Sequence, residues 1–337
     1  MLDRALAIPL HRAAQLGSPV LVQGPRSAGK STLLRREFPA HTYIPLDDPT
    51  ARAQSRADPA KFLGRLRGPA FVDDLHRSPE LIAYLANAPN PGRLVLASSR
   101  RLTLPFTTFE LHRPTLAERQ RRPPLALEML GRFAPIALPP APSTPPWPIS
   151  IRLLDQDIRD LVNVRELDRF ESFLRLAQSQ SGEILDQQAL ARAADVSHRT
   201  VVRWLAAVDA CFLSLRLPPA ELESGRRIIQ APKLHFLDSA NFESQVVSEL
   251  YRNARNAGHH PTLRYWRDSN GLEISLVICF DSLPPLPVSI TEDQNPFVET
   301  RLRRWMQLVG VPQGAIIATA ARPSRRAGVL RYSAAQL

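Results

Sequence analysis

Only two cysteines occur in the 337-residue chain, Cys211 and Cys279, far apart and with no CxxC spacing or histidine cluster beside them. That excludes a disulfide framework and offers no zinc-site pattern. No apolar run approaches the roughly 20 residues that cross a bilayer. Residues 1–25 already carry Asp3, Arg4, His11 and Arg12, so no membrane partner is expected and the expected compartment is the reducing cytoplasm. Lysine is nearly missing too: it stands only at Lys30, Lys61 and Lys233, so the formal charge of +11 is almost wholly carried by arginine. A basic balance fits an anionic partner, although such an arginine skew also follows from genomic base composition. No internal repeat is present.

What the chain does have is apolar material, 44% of its residues, and enough length for two or three domains. Short apolar runs at Val20-Leu21-Val22, Phe71-Val72 and Leu94-Val95-Leu96-Ala97 alternate with helical patterns, which predicts an α/β domain with a mostly parallel sheet over residues 1–134. Seven prolines between 135 and 148 exclude regular helix or central strand, so residues 135–150 are expected to be an extended linker. Residues 151–230 read as a helical region, with apolar spacing over Asp157 to Ala177 and two helical patterns from Gln188 to Leu205 parted by Asp195-Val196-Ser197. That is a helix-turn-helix pattern with Ser197 as the cap of its second helix. Residues 231–337 return to strand-like runs, Thr262 to Trp266, Ile274 to Phe280, Leu286 to Ile290 and Ala315 to Ala318, with a helix near Glu299 to Leu308. Within residues 296–337, arginines 301, 303, 304, 322, 325, 326 and 331 face the single acid Glu299, a candidate basic surface.

The sharpest motif is Gly24-Pro25-Arg26-Ser27-Ala28-Gly29-Lys30-Ser31, followed by Thr32, between an apolar run and a helix start. This is the P-loop pattern: glycines let the backbone N–H groups and the helix N-terminus approach phosphates, the lysine reaches the β- and γ-phosphates, and the serine hydroxyl ligates Mg²⁺. Gly24 to Thr32 are therefore the expected ATP-binding residues. Ala70-Phe71-Val72-Asp73-Asp74 is an apolar run ending in acids, with Asp73 expected to hold Mg²⁺ and Asp74 to polarise the attacking water. Ser98-Ser99 ends the next strand, and Ser98 is the candidate γ-phosphate sensor. The catalytic candidates are Asp74, Lys30 and Ser98, and the metal candidates Ser31 and Asp73.

With these motifs in place, the chain resembles prokaryotic AAA-type P-loop ATPases whose C-terminal half is domain of unknown function 4143. The P-loop, Leu46-Asp47-Asp48-Pro49, Asp73-Asp74 with Arg77-Ser78-Pro79-Glu80-Leu81, and Ser98-Ser99 are similar to the N-terminal pattern. Asp157-Ile158, the helix-turn-helix, Lys233 to Asp238, Glu243, Arg267 and Gly271-Leu272-Glu273 are similar to the C-terminal pattern. The resemblance implies ATP and Mg²⁺ as cofactors, a winged-helix-like region, and a small α/β domain of restriction-endonuclease-like fold. Two departures imply slow hydrolysis. Asp74 stands where the family usually has Glu, and the family's Gly-Arg pair is missing, leaving Arg100, Arg101 or Arg113 as substitutes. Glu243 and Glu273 match acids of the nuclease-like fold, but Ser275, Ser289 and Thr291 are neutral, so the fold is expected without nuclease chemistry; Asp268, Glu292 and Asp293 are the acids that could migrate into the role.

Three functions remain open on the sequence: a slow ATPase or nucleotide-dependent switch, a DNA-binding module in which ATP is only a ligand, and a scaffold for a protein partner. Arg199 and Arg203, four residues apart on one helix face, are the candidate DNA contacts. The alternative for that helix is a packing unit with Val201, Val202, Trp204 and Leu205 buried.

Overall fold

The computed structural model describes residues 3–87, 93–120, 167–222, 228–279, 283–292, 295–319 and 323–334. The proline-rich segment 135–150 and the first part of the helical pattern from Asp157 lie outside the described residues. The chain forms two compact units. The first comprises Met1–Pro114 with Ala210–Phe212 and Arg255–His259, and the second comprises Thr115–Asp209, Leu213–Ala254 and His260–Leu337.

The first unit contains helices α1 (Ala7–Gln15), α2 (Lys30–Glu37), α3 (Pro49–Ala57), α4 (Pro59–Gly64) and α5 (Pro79–Asn87). Its strands are β1 (Val20–Gln23), β2 (Thr42–Pro45), β3 (Ala70–Asp73), β4 (Leu94–Ser98) and β5 (Thr107–Glu110). They form one sheet in the order β2-β3-β4-β1-β5, and every pairing in it is parallel. Strands β1, β3 and β4 are buried along their whole length, as expected where helices cover both faces of a parallel sheet. Alternation sorts their side chains into two cores. Val20, Val22, Phe71, Val95 and Ala97 pack with Leu10, Leu33 and Leu34, whereas Leu21, Ala70, Val72, Leu94 and Leu96 pack with Leu75, Leu81 and Leu85. The loops after β1, β3 and β4 then emerge at one edge of the sheet, the carboxyl edge where α/β proteins place ligands.

The second unit opens with α6 (Leu116–Arg119), α7 (Leu167–Ser179), α8 (Gln187–Ala193) and α9 (His198–Ala210), followed by β6 (Ser214–Leu217) and β7 (Lys233–Phe236). Asp186 caps α8, accepting from the Gln188 and Ala189 amides, and Ser197 accepts from the Thr200 amide as the sequence predicts. Asp195, at φ 50°, makes the tight turn between the two helices. Strands β6 and β7 pair antiparallel, and Ile184 bridges to Lys233. The boundary expected at residue 231 lies between β6 and β7, two strands that pair. Beyond it come α10 (Phe242–Asn256), β8 (Thr262–Arg267), β9 (Glu273–Cys279), β10 (Leu286–Thr291), α11 (Pro296–Val309), β11 (Gly314–Ala318), β12 (Ser324–Arg326) and β13 (Val329–Ser333). These strands form a mixed sheet in the order β12-β13-β11-β10-β9-β8. Its two faces bury Tyr265, Leu276 and Val288 on one side and Trp266, Ile274 and Trp305 on the other.

Candidate functional site

The loop between β1 and α2 is shaped by two glycines. A Cβ on Gly24 would lie 2.0 Å from the Leu111 carbonyl oxygen, so only glycine lets these segments approach. Gly29 sits at φ 89° immediately before α2, a conformation costly for side-chain-bearing residues, and Ser27 adopts φ 61° within the same loop. Ser31 and Thr32 follow Lys30 in the first turn of α2, where backbone N–H groups have no helical partner. Arg4, although nine-tenths buried, reaches the loop from outside: Nη1 donates to Ala28 O at 2.8 Å and Nη2 to His112 O at 2.6 Å.

The loop opens onto a cleft of about 330 Å³ lined by Arg26, Ser27, Gly29, Lys30, Ser31, Thr32, Tyr43, Asp47, Asp73, Asp74 and Ser99. Lys30 is buried, and its Nζ donates to Gly24 O at 2.8 Å and Pro25 O at 2.9 Å, with Ser99 Oγ at 3.4 Å. Asp73, at the end of β3, accepts from the Tyr43 hydroxyl at 3.1 Å and from the Asp74 amide at 3.0 Å. The Tyr43 ring lies under the Arg35 guanidinium, 3.7 Å from the ring centroid. Burial and the neighbouring Asp73 raise the Tyr43 phenol above its ordinary pKa against the lowering effect of Arg35, which keeps the hydroxyl a donor. Asp74 adopts φ 56°, a left-handed conformation uncommon outside glycine, and its carboxylate meets Arg77 Nε at 3.2 Å and Ser99 Oγ at 3.5 Å.

Most of the residues singled out in the sequence therefore converge. Gly24, Pro25 and Ala28 shape the loop from beneath rather than line the cleft; Ala28 is buried and Pro25 contributes a carbonyl. Ser98 departs from expectation. It is the last residue of β4 and fully buried, its Oγ donates to Arg100 O at 2.6 Å, and its neighbour Ser99 lines the cleft instead. Consecutive residues at a strand end point in opposite directions, so the exchange amounts to a one-residue slip. Of the arginines proposed to supply missing charge, Arg101 donates to Glu110 at 2.5 Å and stacks on Phe212, and neither Arg100 nor Arg113 lines the cleft. Arg26 lines it. Burial favours a protonated Glu110, but the His112 hydrogen bond and the Arg101 and Arg255 guanidiniums outweigh it and hold this carboxyl well below its usual range. Tyr43 and Arg4 were missed, since neither belongs to a motif.

The second unit contains another charged cluster. Lys233, from β7, is buried and pairs with Glu243 of α10 at 2.9 Å and with Glu273 of β9, which Arg267 also approaches at 3.4 Å. Both acids that the sequence placed in a nuclease-like site are thus joined to an ammonium group. Coulombic attraction by the two carboxylates raises the Lys233 pKa in spite of burial. Beside it, buried His235 shares a 3.0 Å hydrogen bond through Nδ1 with Ser244 Oγ, and burial together with Lys233 pushes its pKa down to about 3. Ser275 and Ser289 are buried on adjacent strands, and Ser275 Oγ accepts from the Ile290 amide at 3.4 Å. The Asp268 carboxylate accepts the Asn270 and Leu272 amides, both at 2.9 Å, and so closes the β8–β9 turn. Glu292 is exposed, and Asp293 lies outside the described residues.

On α9, Val201, Trp204, Leu205 and Val208 are buried, while Arg199 and Arg203 are exposed. Val202, expected in the buried set, is 42% exposed because it shares the outward face with Arg199 and Arg203.

By topology the first unit is an α/β module built on a parallel five-stranded sheet, with its polar cleft at the carboxyl ends of the strands. Comparison with known proteins adds relatives without an assigned activity. Residues 149–244 match a domain of unknown function (DUF8612). The chain is 26% identical over 330 residues to an uncharacterized protein of Mycobacterium tuberculosis, covering 83% of this chain and 72% of that protein. An uncharacterized protein of Mycobacterium bovis matches to the same extent. Among the described residues, no helix is long and apolar enough to cross a membrane.

Proposed function

We propose that the first unit is an ATP-binding P-loop module of the AAA-type ATPase class, acting with Mg²⁺ as a slow ATPase or nucleotide-dependent switch. The observation that carries this reading is the convergence of Lys30, Ser31, Asp73, Asp74 and Ser99 on one cleft beside a loop that only glycine can form. The sheet order supports it as well, since β4 lies between β1 and β3 and brings Ser99 between the loop and the acids. The residues fit a magnesium nucleotide: Arg26, Lys30 and the hydroxyls of Ser31 and Thr32 line the same cleft as the carboxylates of Asp47, Asp73 and Asp74. Mg²⁺, when bound, neutralises phosphate charge; Ser31 and Asp73 would hold it, with Tyr43 fixing the Asp73 carboxylate.

Lys30 would exchange its carbonyl partners for phosphate oxygens, a stronger bond because both partners are charged. Asp74 would polarise the attacking water. Its bond to Arg77 competes with that task, and its side chain is shorter than the usual glutamate, so both features favour slow turnover. The test is titration calorimetry with MgATP. Wild type should bind, and a folded Lys30→Ala variant should lose on the order of a thousandfold in affinity, about 4 kcal/mol. Equal affinity in the two proteins would refute the P-loop assignment.

A second reading concerns DNA. The order of α7, the Ile184 bridge, α8, α9, β6 and β7 is that of a winged helix, and α9 turns Arg199 and Arg203 outward, as a recognition helix would. We offer α9 as a DNA contact; replacing both arginines should flatten the salt dependence of binding. Nuclease activity in Mg²⁺ or Mn²⁺ is not expected, because Glu243 and Glu273 are tied to Lys233.

A further inference from the structure

The last hairpin of the chain builds a cleft that neither reading uses. Its cavity of about 740 Å³ is lined by Glu299, Arg303, Ser324, Arg325, Arg326, Val329 and Arg331, four arginines and one carboxylate. Glu299 lies in the first turn of α11 and Arg303 one turn later, with Nε donating to Glu299 at 2.8 Å. Arg331 of β13 bonds the second Glu299 oxygen. Held by both, the Glu299 carboxyl stays below its ordinary pKa and remains ionised. Arg303 also donates to Ala327 O at 2.9 Å and Arg326 O at 3.3 Å, which ties the helix to the hairpin turn.

That turn is stiff. Ala327 at φ 46° and Gly328 at φ 79° form a two-residue loop of the kind that matches strand twist, and a Cβ on Gly328 would lie 2.5 Å from Pro312 O. The turn fixes β12, an edge strand whose three residues are all exposed. Arg325 and Arg326 stand on it with no side-chain hydrogen bond or ion pair among the described residues. A charged edge strand can serve simply to prevent sheet-to-sheet pairing. That role requires neither a concave site nor two further arginines buttressed by a shared acid.

We infer that this cleft binds the phosphate backbone of a DNA duplex. Arginine forks suit phosphate oxygens better than a point charge does, and one acid pre-positions two of the four. A duplex backbone is favoured over unpaired bases because, among the described residues, no aromatic side chain lines the cleft. The exposed Phe297 lies two residues from Glu299, about 200° around the helix. It is favoured over a lipid surface because Val329, the apolar residue among the described lining, is buried. None of the lining residues lies on α9, and the cleft does not depend on nucleotide binding by the first unit.

Fluorescence anisotropy with a labelled 30-base-pair duplex and the full chain, across a salt series, tests it. The comparison uses Arg325→Gln/Arg326→Gln and Arg199→Gln/Arg203→Gln. The first pair should weaken binding and lower the log–log salt slope by about 2, one for each lost phosphate contact. The second pair should leave that contribution in place. Circular dichroism checks that the exposed substitutions preserve the fold. An unchanged slope in the hairpin variant, or no duplex binding by wild type at low salt, overturns the inference. Binding of phosphatidylglycerol vesicles or polyglutamate in preference to duplex overturns it too.

Discussion

Two of the three lysines are buried to nearly the same depth, Lys30 at 6% exposure and Lys233 at 4%, yet their surroundings differ in kind. Lys30 donates to two backbone carbonyls and a hydroxyl at the wall of a polar cleft. Lys233 is joined to two carboxylates. Neutral oxygens can be exchanged for an anionic ligand at little cost, whereas pulling an ammonium from two carboxylates leaves buried charge behind. Depth of burial therefore does not by itself separate the two settings; what the ammonium would leave behind does.

Replacing each lysine separates the two cases most sharply. Lys233→Met should destabilise the second unit by about 3 kcal/mol, toward the lower end for a broken buried pair because both glutamates keep some solvent contact. Urea unfolding followed by tryptophan fluorescence measures this, since Trp204, Trp266 and Trp305 all lie in that unit. MgATP affinity should be unchanged in a preparation that remains folded. Lys30→Ala should do the reverse. A Lys233→Met protein with undiminished stability would show that its cluster is held together by something other than the ion pairs.

Within the cleft, Asp74→Asn should slow turnover about a hundredfold while sparing affinity, because a polarising carboxylate acts in the transition state. Single-turnover hydrolysis against calorimetric affinity resolves the two quantities; a parallel loss of both would reassign Asp74 to binding.

Acid should affect the second unit through His235, whose pKa is pushed down from 6.5 to about 3. The unfolded chain takes up this proton first, so stability is full above about pH 6.5 and falls as pH drops toward 3. The folding equilibrium should fall roughly tenfold per pH unit. Urea midpoints measured against pH for wild type and His235→Gln check the sign: the variant should lose this part of the slope. The smallest effect is expected from Tyr43→Phe. Removing one hydrogen bond to Asp73 costs about 1 kcal/mol, roughly a fivefold higher Mg²⁺ requirement for nucleotide binding. An unaltered Mg²⁺ titration would leave Tyr43 as a packing residue.

The contrast also explains what could be read from the sequence. The positions of the Gly24–Ser31 loop and of Asp73-Asp74 were legible because consecutive residues follow short apolar strands, and a parallel sheet announces itself by such strands. The strands after residue 262 were legible for the same reason, except β12 and β13, where arginine masks the alternation. Arg4, Tyr43 and Lys233 were not legible as parts of a site. Arg4 meets loop residues 24 and 108 positions away, and Tyr43 and Asp73 are 30 apart, so only tertiary packing brings them together. Ser98 and Ser99 show a finer limit. Sequence located the strand end, but a shift of one residue decides which hydroxyl faces the cleft.

The strut formed by Arg4 bears on how the protein is handled. Its guanidinium belongs to no motif, yet it supports the underside of the loop at Ala28. Losing that one side chain would leave every motif intact and the loop without its strut. Preparations that differ only there should then differ in nucleotide affinity, and an intact-mass check that residue 4 is present becomes part of interpreting any binding curve.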